Sequence, residues 1–134
     1  MRNSVLILAV LLLVGIATAI SFPPYVENTL HRAWCIGDNY EYLAFMAGEI
    51  FGAPNMGELY ENLWISYYTM IDYAEDEDIA GFNAEYANFT SIANEIRWSY
   101  FYYGIMEGYP FSDLWQNYWE TQEGIFMCYA GGDD

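Results

Sequence analysis

The chain contains no lysine and only three arginines and one histidine, set against 19 aspartates and glutamates in 134 residues, so its formal net charge is −16. Nucleic-acid binding requires basic side chains that displace counterions from phosphates, and anionic membrane surfaces require the same; the composition excludes both as partners. The single histidine, His31, stands one helical turn after Glu27, the spacing of an ordinary i,i+4 surface contact rather than of a base aligned on a nucleophile. Zinc centres draw on several His or Cys ligands, and this chain offers one histidine and two cysteines. No spacing among the acids selects a pair for glycoside chemistry. The reading is therefore a non-enzyme that carries no cofactor.

Long apolar runs are confined to the beginning. Arg2 supplies a positive start, residues 5–14 are continuously apolar, and Ala17-Thr18-Ala19 forms a small-x-small cleavage site, so residues 1–19 are read as a secretory signal peptide. Residues 20–134 are then one secreted, extracellular domain, with Pro23-Pro24 breaking the apolar run and no membrane association after cleavage. Removal of the leader takes Arg2 with it. Only Arg32 and Arg97 remain to oppose the acids. The cysteines, Cys35 and Cys128, meet an oxidising compartment and are expected to pair. On the chain-entropy model a bridge closing so long a loop stabilises by roughly 4–5 kcal/mol at most.

What the chain has in abundance is aromatic side chains: 14 Tyr, 8 Phe and 5 Trp. High net charge usually accompanies disorder, but this supply of apolar area is enough to build a core. Periodicity is helical. The strongest stripe joins Phe111, Leu114, Trp115, Tyr118, Trp119, Ile125, Phe126 and Tyr129, with Asp113, Gln116, Glu120 and Glu123 opposite, and places Trp115 and Trp119 in the core and Cys128 at the stripe's edge. A helix over 57–75 is capped by Asn55 with Glu58, and one over 39–51 by Asp38 with Glu41. Gly37 and Gly52 stop the helices on either side of the latter, after a short first helix over 27–36. A long stripe over 82–107, including the strand-favouring aromatics at 98–103, ends at Gly108 and Pro110. The expected fold is an all-α, up-and-down bundle of four to five helices closed by one disulfide.

Two local features bear on function. Glu75-Asp76-Glu77-Asp78 precedes Gly81, and with Asp76 at loop position 1 an EF-hand would have Asp78 at 3 and Gly81 at 6; Ala80 at 5 and Ala87 at 12 remove the motif's ligands. The run is read as a solvated acidic turn with weak calcium association. Asn88-Phe89-Thr90 is an N-glycosylation sequon, meaningful in an exported glycoprotein. The charge points to cations, basic extracellular proteins, polysaccharide or mineral as partners. Two functions follow from different features. Charge excess favours an acidic protein of an extracellular matrix or secretion, acting through calcium association and protein or polysaccharide contacts. Aromatic excess favours a secreted carrier of a small apolar ligand held among the helices.

Overall fold

The computed structural model describes residues 23–131; the signal peptide read at 1–19 lies outside them. The described chain is all-helical, with α1 over Pro24–Phe45, a π-helical turn at Met46–Ile50, α2 over Met56–Glu75, α3 over Ile79–Met106 and α4 over Phe111–Gly131. Four helices form, and Cys35 and Cys128 are joined by a disulfide that ties α1 to α4. The aromatic run at 98–103 is helical, as its flanking period requires.

The two helices expected over 27–36 and 39–51 are one. Pro24 opens α1 at a position where its missing N–H is not needed, and Gly37 lies within the helix instead of stopping it. The glycine serves close packing: a Cβ there would stand 2.8 Å from the Trp64 indole. Its carbonyl also accepts a 2.8 Å hydrogen bond from the Tyr60 hydroxyl. Asp38 and Glu41 accordingly cap nothing and lie on the exposed side of α1. The helix then widens into its π turn, where Phe51 N–H bonds to the Met46 carbonyl at 2.9 Å, and Gly52 leaves it at φ +80°.

Both ends of the α2–α3 hairpin close by backbone bonds of the Schellman type. At the end of α2, Glu77 N–H bonds to the Ala74 carbonyl and Asp78 N–H to the Tyr73 carbonyl, with Glu77 in the left-handed region at φ +59°. At the end of α3, Gly108 N–H bonds to Ile105 and Tyr109 N–H to Gly104, with Gly108 at φ +98°. Asn55 does precede α2, but at φ +62° and without a side-chain hydrogen bond, so the expected Asn55–Glu58 cap is not made.

α1 is the element against which every other helix packs, and α2 and α3 share the largest interface. Val26, Leu30 and Leu43 from α1 meet Leu63, Met70 and Ile71 from α2 and Phe82, Phe89, Ile96 and Tyr100 from α3, all buried. Ser66 crosses between α2 and α3, donating to Glu85 Oε2 at 2.7 Å. α4 adds Leu114, Tyr118, Thr121 and Ile125, the inward line of a 4-3-4 spacing that continues to Cys128. Tyr100 fastens the helix's start by donating to the Leu114 carbonyl at 3.1 Å. α4 lies mainly on α1 and touches α3 only sparingly.

Candidate functional site: an exposed aromatic face

Of the aromatics that the α4 stripe assigned to the core, Tyr118 is buried but Phe111, Trp115, Trp119 and Phe126 are not. Trp115 and Trp119 retain 47% and 51% of their accessible surface, and Phe111 and Phe126 are exposed as well. The physical reason is rotation: the helix turns Leu114, Tyr118, Thr121 and Ile125 inward, which leaves the adjoining line 111-115-119 about 100° away, facing out. On α3, Trp98, Tyr102 and Ile105 are likewise exposed, at the i, i+4, i+7 positions of one helix face.

Phe101 of α3, half-buried, joins that helix to the α4 row: its ring centroid lies 5.7 Å from Phe111, 6.3 Å from Trp115 and 5.2 Å from Tyr118. Along α4 the rings lie nearly parallel: Phe111 and Trp115 at 24°, Trp115 and Trp119 at 23°. Trp98 and Tyr102 stack on α3 at 12° and 4.7 Å. Each of these exposed rings thus has a ring neighbour one helical turn away on its own helix. Acidic side chains adjoin the face one helical turn from the rings, Glu95 before Trp98 on α3 and Glu123 after Trp119 on α4, both exposed. An apolar aromatic centre with a charged rim is the composition of a recognition surface.

The acidic run has a structural occupation. Glu75 ends α2, Glu77 takes the left-handed position of its cap, and Asp78 Oδ1 accepts from Gly81 N–H at 2.9 Å as the N-cap of α3. Burial, followed by neighbouring Asp72 and Asp76, pushes the Glu75 carboxyl above its usual range. Glu75, Asp76, Glu77 and Asp78 do not bring three carboxylates together within 4.8 Å; the only such group among the described residues is His31, Cys35 and Cys128. There both sulfurs belong to the disulfide, leaving His31 as the one available ligand. Asn88 is exposed on the formed helix α3, where its amide donates to Glu85 Oε2 at 3.0 Å. No helix among the described residues is long and apolar enough to cross a membrane.

Sequence reasoning placed the aromatic row in the core because the row itself is helically periodic. One signal pointed the other way: Cys128 falls on the line of Leu114, Tyr118, Thr121 and Ile125, so its bridge to a cysteine of another helix turns that line inward. No family model, curated protein or solved structure matches this chain.

Proposed function

We propose that this is an exported, non-enzymatic acidic protein that works by contact, using the aromatic face of α3 and α4 to hold a basic extracellular protein. The observation that carries the reading is the row Phe111, Trp115 and Trp119 on α4, with Trp98 and Tyr102 on α3, exposed on a chain whose net charge is −16. Tryptophan and tyrosine are enriched among the residues that dominate binding at protein interfaces, and Lys or Arg side chains are drawn both to their ring faces and to acidic groups beside them. The strong net negative charge would steer such a partner in and repel acidic ones. Calcium association with Glu75, Asp76, Glu77 and Asp78 and contact with polysaccharide belong to the same extracellular setting. The carrier reading has less support, because two of the chain's concavities, of about 390 and 270 Å³, are open clefts at the surface with charged or polar linings.

Titration with polyarginine, followed by tryptophan fluorescence, tests the proposal. Saturable binding that shifts the emission and weakens steeply with salt is expected, with polyglutamate inert. Salt-dependent binding with no change in tryptophan emission would assign the contact to charge alone and overturn the role of the aromatic face.

A further inference from the structure

The two arginines of the described chain line the same cleft. It opens where α4 leans on α1 and stands away from α3, has a volume of about 270 Å³, and receives Arg32 from α1 and Arg97 from α3. Its other polar walls are Tyr40, Tyr86, Thr90, Asn94, Tyr118 and Gln122, and no lining residue is acidic, in a chain with 19 acids. Arg97 donates to the Tyr118 hydroxyl at 3.4 Å, and the groups that act on its charge are Tyr118 and Tyr40 rather than a carboxylate. The guanidinium thus keeps donors for a further acceptor. Arg32 lies over the Tyr129 ring at 5.6 Å, which positions it without neutralising it.

Tyr40 and Gln122 line the cleft beside Tyr118, and burial pushes the Tyr40 hydroxyl up to about 12, so it stays protonated and able to donate. Ile36, Ala93 and Ile125 supply an apolar wall beside these donors. The overall negative charge repels a ligand in proportion to the ligand's own charge, which disfavours polyanions and dianions. We propose that the cleft between α1, α3 and α4 binds a small organic monoanion, a carboxylate carried on an apolar body, with Arg97 and Arg32 on the carboxylate and Ile36, Ala93 and Ile125 against the body. The volume sits just below the usual range of ligand sites, about 300–1,000 Å³, and sets the size of that body. This inference is independent of the aromatic contact face, which lies on other residues.

Benzoate is the probe, titrated into the oxidised protein and followed by NMR of the arginine Nε–H and glutamine side-chain signals. Saturable shifts of Arg97 and Gln122 are expected, with about tenfold or greater weakening in Arg97→Gln and in Arg32→Gln and for the neutral isostere benzamide. Arg97→Lys, which keeps the charge but loses the planar fork, should fall between wild type and Arg97→Gln. Arg32 is exposed, so Arg32→Gln decides the matter if Arg97→Gln fails to fold. Absence of saturable shifts, equal affinity for benzamide, or unchanged binding in Arg32→Gln overturns the proposal. Equal affinity for inorganic phosphate would overturn the assignment of an apolar carboxylate.

Discussion

Tyr100 carries a hydroxyl into a fully buried position and keeps it satisfied by donating to Leu114, and the consequence is a phenol that resists ionisation. Burial pushes Tyr100 and Tyr40 up from 10.0 to about 12, and raises Tyr67 and Tyr60 as well. Between about pH 10 and 12 the folded state therefore holds protons that the unfolded chain releases, and stability falls as pH rises through that window; below it, both states are protonated and no slope arises. Spectrophotometric titration should show a late-ionising group of tyrosines whose release coincides with alkaline unfolding. Glu77 presents a different single-residue cost, a side chain held at φ +59° where glycine belongs. Glu77→Gly should raise the free energy of unfolding by about 0.5–1 kcal/mol, measured by urea denaturation, whereas destabilisation would mean the Glu77 side chain is needed.

At the scale of the helix, α4 shows what hydrophobic periodicity can and cannot resolve. The existence of α2, α3 and α4, the end of α3 at Gly108, and the disulfide partners were legible, because apolar spacing, a glycine backed by a nearby proline and an isolated cysteine pair each have one simple physical reading. The buried face of α4 was not, because aromatics occupy both the inward line at Tyr118 and the outward line at Trp115 and Trp119, and transfer free energy ranks the rings alike. Gly37 misled for a related reason: glycine is required both to end a helix and to let an indole approach one, and only the position of Trp64 separates the two uses. Gly37→Ala should thus destabilise by about 1–3 kcal/mol, although helix propensity alone would predict a gain of about 1 kcal/mol. The acidic turn was legible as a turn, but its caps at Glu77 and Asp78 depend on backbone hydrogen bonds that composition does not reveal.

At the scale of the whole molecule, a covalent clamp and a self-repelling surface oppose each other. The bridge from Cys35 to Cys128 spans 93 residues and, on the chain-entropy model, its loss costs roughly 4–5 kcal/mol, so reduction should lower the melting temperature sharply at low salt and less at high salt, where screening relieves repulsion. If the charge also recruits calcium, millimolar calcium should raise the melting temperature more than sodium at equal ionic strength, and amide replacement of Glu75, Asp76, Glu77 and Asp78 should reduce the difference. The central claim, that the aromatic face exists for contact and not for the core, is tested most directly by comparing two variants for stability and for polyarginine affinity. Leu114→Ala should lose about 2–5 kcal/mol of stability, because Leu114 is buried. The double variant Trp115→Ala with Trp119→Ala should lose about 1 kcal/mol or less per site while its affinity falls at least tenfold. A double variant that unfolds as readily as Leu114→Ala, or binds as tightly as the wild type, would contradict the account.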